Sequence, residues 1–106
     1  MFLILWEFEV KQGEEEAFEK VHGPEGPWVR LFQSDPHYLQ TQLLKDPSRS
    51  RIYFTLDFWE SETDYSQFKQ TNQGTYEKLD KATEKLTIRG RSLGCFLQRG
   101  PKPISS

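Results

Sequence analysis

The 106-residue sequence is poor in the residue types that most often carry chemistry. Its one cysteine, Cys95, excludes an intrachain disulfide and suits a reducing compartment. Set in the apolar run Leu93-Gly94-Cys95-Phe96-Leu97, it reads as a buried, inert thiol. Only two histidines occur, His22 and His37, and neither has a cysteine or carboxylate beside it at metal-ligand spacing. No metal site is expected. No glycine-rich loop follows the first apolar run, so a nucleotide has no anchor of the usual kind, and no cofactor is expected. Fourteen Lys and Arg against sixteen Asp and Glu, with Arg89-Gly90-Arg91 the local basic stretch, exclude a nucleic-acid footprint. Long hydrophobic runs are missing too. Glu7 and Glu9 interrupt the apolar N-terminus, which has no basic flank, so neither a signal peptide nor a membrane span is expected and cytoplasmic residence is the default.

What the chain does have is aromatic residues, 14% of the total, among them three Trp and eight Phe. It also has strands that are apolar on both sides. In residues 2–10, Phe2, Ile4, Trp6, Phe8 and Val10 share one face, while Leu3 and Leu5 open the other. In residues 51–59, Ile52, Phe54, Leu56 and Phe58 alternate with Tyr53, Thr55 and Trp59. Two half-apolar faces need two coverings. Helices supply one. For the other, a second copy of the chain is the natural candidate, so a homodimer through the sheet face is expected, with Leu3, Leu5, Tyr53 and Trp59 pointing away from the helices.

Between these strands the periodicity switches to helical. Glu14, Glu15 and Glu16 crowd a first turn, followed by Ala17, Phe18 and Val21. Gly23-Pro24-Glu25-Gly26-Pro27 interrupts that helix, and Pro27 opens a short second one bearing Trp28, Leu31 and Phe32. Residues 37–45 form a second strand, with Leu39, Thr41 and Leu43 on one face and Tyr38 and Leu44 on the other. Ser61-Glu62-Thr63-Asp64 is a capping-box pattern ahead of Tyr65 and Phe68. After a break at 71–74, Tyr76, Leu79, Ala82, Thr83 and Leu86 continue at helical spacing, and a last strand runs from about Ile88 to Gln98. The order strand, helix, strand, strand, helix, strand predicts an α+β, ferredoxin-like four-stranded antiparallel sheet with helices on one face. Two such sheets packed face to face would make a dimeric α+β barrel. Residues 1–98 form the expected domain and 99–106 a flexible C-terminal tail.

Gly-Pro-Glu-Gly-Pro-Trp at 23–28, Tyr-Leu-Gln-Thr-Gln-Leu-Leu at 38–44, Phe-Trp-Glu-Ser at 58–61 and Leu-Gly-Cys-Phe at 93–96 resemble, in order and spacing, the antibiotic biosynthesis monooxygenase (ABM) domain family. The resemblance spans residues 2–97 and implies a dimeric ferredoxin-like barrel. It also implies either cofactor-independent oxygenation of polyketide anthrones and quinols or heme degradation, although many members have no demonstrated activity. The heme-degrading branch uses an Asn, a Trp and an iron-ligating His, whose matching positions here are Trp6, Phe68 and Lys78. None is kept, and a lysine ammonium has no lone pair for iron.

The expected site is the cleft between sheet and helices. Trp6, Trp28, Phe32, Phe68 and Tyr76 are the candidate ligand-binding residues, an aromatic cage for a small hydrophobic aromatic ligand; the same spacing also describes ordinary core. His22 is the candidate catalytic base, or else a helix C-cap, where its charge would be favourable. His37 reads as solvent-facing. Together with the resemblance, these features lead to two expectations. One is a cofactor-independent monooxygenase acting on a phenol, quinol or anthrone. The alternative is a non-catalytic small-molecule-binding or structural dimeric barrel protein.

Overall fold

A computed structural model describes residues 1–100. The order is β1 (Phe2–Val10), α1 (Glu15–His22), α2 (Pro27–Phe32), β2 (Tyr38–Lys45), β3 (Ile52–Trp59), α3 (Glu62–Thr71), α4 (Gln73–Glu84) and β4 (Thr87–Leu97). The punctuation read from the sequence marks these boundaries. Pro27 opens α2, and Gly26 lies so close to the end of α1 that a Cβ there would stand 2.3 Å from the Val21 carbonyl oxygen. Ser61 caps α3 by accepting the Asp64 N–H at 3.1 Å. Asp64 reaches back to the Ser61 hydroxyl, at 2.7 Å, rather than to its backbone N–H as a standard capping box would.

The strands pair antiparallel in the order β2-β3-β1-β4, with the helices on one face. Among the described residues the sheet is not closed into a barrel, and β2 and β4 are its edges. The expected dimeric α+β barrel is corrected to a single open ferredoxin-like sheet.

The faces of β3 are also the reverse of those expected. Phe2 pairs with Trp59, Ile4 with Asp57, Trp6 with Thr55 and Phe8 with Tyr53. The odd positions of β3 therefore share the helix-facing side with the even positions of β1. Trp59 and Tyr53 are fully buried there. Trp59 packs with Phe32 and Phe68, and Tyr53 with Phe18. The Tyr53 hydroxyl donates to Glu19 at 2.5 Å. The more apolar set, Phe54 and Leu56 with Leu3 and Leu5, lies half-buried on the opposite face. That face turns ionic at one end, where buried Glu7 accepts from Arg91 at 2.7 Å and from Arg49 at 3.5 Å.

Cys95 lies on edge strand β4 and is exposed, contrary to the buried thiol expected. No helix among the described residues is long and apolar enough to cross a membrane. The expected tail lies largely in residues 101–106, outside the described residues.

Candidate functional site

The helix-facing side of the sheet and helices α1, α2 and α4 line a half-open cavity of about 280 Å³. This lies just below the usual range of ligand pockets, about 300 to 1,000 Å³. β1 contributes Trp6 and Phe8, β2 Thr41, β3 Thr55 and Asp57, and β4 Thr87 and Gly90. The helices add His22 from α1, Trp28 and Phe32 from α2, and Tyr76, Asp80, Thr83 and Glu84 from α4.

Of the residues predicted for the site, Trp6, Trp28, Phe32, Tyr76 and His22 meet around this cavity. Phe68 does not. It is buried beside the site, 5.0 Å from Trp59 and 5.6 Å from Phe32 between ring centroids. Trp28 is held edge-on to Tyr76, at 5.1 Å, and its indole N–H points to the Thr83 hydroxyl at 3.4 Å. Trp6 stacks on Phe8, 5.9 Å away. Space for the Phe8 ring depends on Gly90, where a Cβ would stand 2.8 Å from two of its ring carbons.

His22 is the last residue of α1, with its ring turned inward among aromatics rather than out to solvent as a charged cap. Ring centroids lie at 4.3 Å from Phe18, 5.2 Å from Phe8 and 6.2 Å from Trp28. Burial disfavours the imidazolium and lowers the pKa to about 4. The ring is therefore neutral at pH 7 and keeps a free lone pair.

Asp57 was not among the residues predicted. Burial holds its pKa up at about 6, opposed by one hydrogen bond, 2.6 Å long, from the Thr41 hydroxyl. The Thr41 proton goes to the carboxylate, so the Tyr38 hydroxyl, 2.7 Å from Thr41 Oγ1, donates to it in turn. This chain exists because of a β-bulge. Tyr38 pairs with Trp59 and Thr41 with Asp57, with a register shift between Tyr38 and Gln40. Without the bulge, residues three apart would point to opposite faces, as the sequence reading placed them. The signal that would have found Asp57 is its isolation as a lone acid inside Ile52–Trp59, a strand otherwise made of apolar residues and Thr.

His37 is exposed, and its Nδ1 lies 2.9 Å from Asp35 Oδ1. That contact raises its pKa, with further help from Asp64 and Glu60. Folding also brings ligand atoms of His37, Glu60 and Asp64 within 4.8 Å of one another, a proximity that spacing along the chain does not reveal.

The chain is similar in fold to SnoaB, a cofactor-independent oxygenase from Streptomyces nogalater, at 19% identity over 96% of each chain and a TM-score of 0.71. A protein from Pseudomonas aeruginosa matches at 14% identity, covering 93% of this chain and 94% of its own, with a TM-score of 0.66. A conserved protein from Methanosarcina mazei matches at 9% identity, 92% of each chain and a TM-score of 0.69. At such identities the likeness is one of fold. No curated protein matches the sequence. The sequence profile described as "Antibiotic biosynthesis monooxygenase" matches residues 1–74. With that match over most of its length and a ferredoxin-like sheet with helices on one face, the chain belongs to the antibiotic biosynthesis monooxygenase family.

Proposed function

We propose that this protein is a cofactor-independent monooxygenase acting on a small electron-rich aromatic of the phenol, quinol or anthrone class. The observation that carries this reading is a cavity walled by Trp6, Trp28, Phe32 and Tyr76, with a neutral imidazole and a half-buried carboxylate opening into it. A deprotonated quinol or anthrone can itself pass an electron to dioxygen. For an anthrone, one oxygen atom enters the ring as a carbonyl, the other leaves as water, and the substrate supplies both hydrogens. The protein has to hold the ring, accept a proton and exclude bulk water. His22 is the proposed base. At about 4 its pKa makes it a weak one, which favours acidic quinols and anthrones over simple phenols.

Oxygen uptake with anthrones, naphthols and quinols, without added flavin or metal, tests the reading. Uptake with at least one class is expected, and none across the panel contradicts it. The weakness of His22 as a base also favours a second reading, a non-catalytic binding protein, in which these compounds bind without consuming oxygen.

A homodimer through the sheet face belongs with the same proposal. The surface it would use carries Leu3, Leu5, Phe54 and Leu56, not the buried Tyr53 and Trp59.

A further inference from the structure

We propose that the cavity takes a flat aromatic ligand bearing a positively charged amine, with Asp57 as its counter-ion. The inference rests on the cavity being a ligand site, as above, and adds the charge of what enters it.

The first support is composition. Asp57, Asp80 and Glu84 line the cavity, and no lysine or arginine among the described residues does. Such a wall repels an anion and attracts a cation. The second support is an unmet requirement. Asp57 has no ion-pair partner among the described residues, and its hydrogen bond comes from the neutral Thr41 hydroxyl. A half-buried carboxylate with one neutral donor retains unused acceptor capacity and a poorly compensated charge. An ammonium group supplies both a donor and the opposite charge. The third support is the aromatic lining. Because the Trp28 indole N–H is committed to Thr83, Trp28 offers a ring surface rather than a donor, and Trp6 adds a second such surface. Aromatic faces beside carboxylates form the surroundings that hold organic cations.

The same electrostatics bear on the proposed oxygenation. A simple phenol losing its proton would place a net anion against these carboxylates. An amine-bearing quinol or anthrone enters as a cation and becomes a net-neutral zwitterion, so the deprotonation does not build charge of the repelled sign.

Three probes of one shape test the inference: naphthylmethylammonium, naphthylmethanol and naphthoate, titrated calorimetrically against the full chain. At about pH 8, a charge-assisted pair predicts the ammonium binding roughly 10-fold tighter than the alcohol, with naphthoate weakest. In Asp57→Asn the alcohol should keep its affinity while the ammonium loses most of its advantage, the small remainder coming from Asp80 and Glu84. Lowering the pH through the value near 6 at which Asp57 takes up its proton should have the same effect on the wild type. The other charged or titratable groups facing this region are His22 from α1, Tyr38 from β2, Tyr65 and Lys69 from α3, and Tyr76, Asp80 and Glu84 from α4. Asp80→Asn and Glu84→Gln, on exposed positions, provide variants that fold if Asp57→Asn does not; each should weaken the ammonium alone, by roughly 2-fold.

Equal binding of all three probes, tighter naphthoate, no binding of any probe, or a preference that Asp57→Asn leaves undiminished overturns the proposal. Oxygen uptake on neutral quinols without a charge preference would leave the oxygenase reading standing and remove this one. Ammonium preference without oxygen uptake would do the reverse.

Discussion

His22 and Asp57 face one cavity with opposite shifts, and their effects on stability oppose each other across the same pH range. His22 has its folded value depressed from 6.5 to about 4, so the unfolded chain binds the extra proton and stability falls as pH drops through that window. Asp57 has its folded value raised from 3.8 to about 6, so here the folded chain binds the extra proton and stability falls as pH rises. Between about pH 4 and 6 the two slopes largely cancel. Removing either should expose the other. In His22→Gln, urea denaturation should show stability decreasing from about pH 4 to 6, and in Asp57→Asn it should show stability increasing over that range. Asp57→Asn should also be more stable than wild type by roughly 2–3 kcal/mol above pH 6, as one pKa unit is about 1.4 kcal/mol. Parallel slopes in all three proteins would contradict the assignment. At this scale the sequence was only partly readable. Trp6, Trp28, Phe32, Tyr76 and His22 were reachable by periodicity; Asp57 was not, because its place depends on which face of β3 turns inward.

The eight elements follow the turn residues and periodicity closely, since Pro27, Ser61 and the glycines act locally. Ser61→Ala should cost about 1 kcal/mol, measured by chemical denaturation, because the cap bond to the Asp64 N–H is lost. What pattern alone missed are the features fixed by pairing. β3 is apolar on both faces, and Ile52, Phe54, Leu56 and Phe58 form the more apolar set, so hydropathy favours burying that set. Register with β1 decides otherwise, and it places the mixed face, with Thr55 and Asp57, under the helices as one wall of the cavity. The bulge in β2 is equally invisible to alternation, yet it sets Tyr38 and Thr41 on one side. On β4, Gly90→Ala puts a methyl against the Phe8 ring. It should cost about 1–3 kcal/mol and weaken binding of a naphthyl probe, as Phe8 is driven into the cavity. Unchanged affinity would show that Phe8 has somewhere else to go.

For the whole molecule, an open sheet with helices on one side leaves Leu3, Leu5, Phe54 and Leu56 on the other. The proposed homodimer predicts that the wild type sediments as a dimer and that Leu56→Asp, with unchanged far-ultraviolet circular dichroism, sediments as a monomer. Tyr53→Asp, in the core, should instead unfold the chain, since an unpaired buried carboxylate costs several kcal/mol, roughly. A monomeric wild type at micromolar concentration would remove the homodimer. The central claim, that the cavity is where an aromatic ring meets oxygen without a cofactor, has one direct measurement. Isotopically labelled dioxygen is supplied to the protein with an anthrone or quinol, with flavin absent and metal chelated, and the product is analysed by mass spectrometry. One labelled oxygen atom per product, lost when Thr87→Trp obstructs the cavity in a protein whose far-ultraviolet circular dichroism matches the wild type, is the expected result. Unlabelled product, or labelling that the obstructed cavity leaves unchanged, would contradict it.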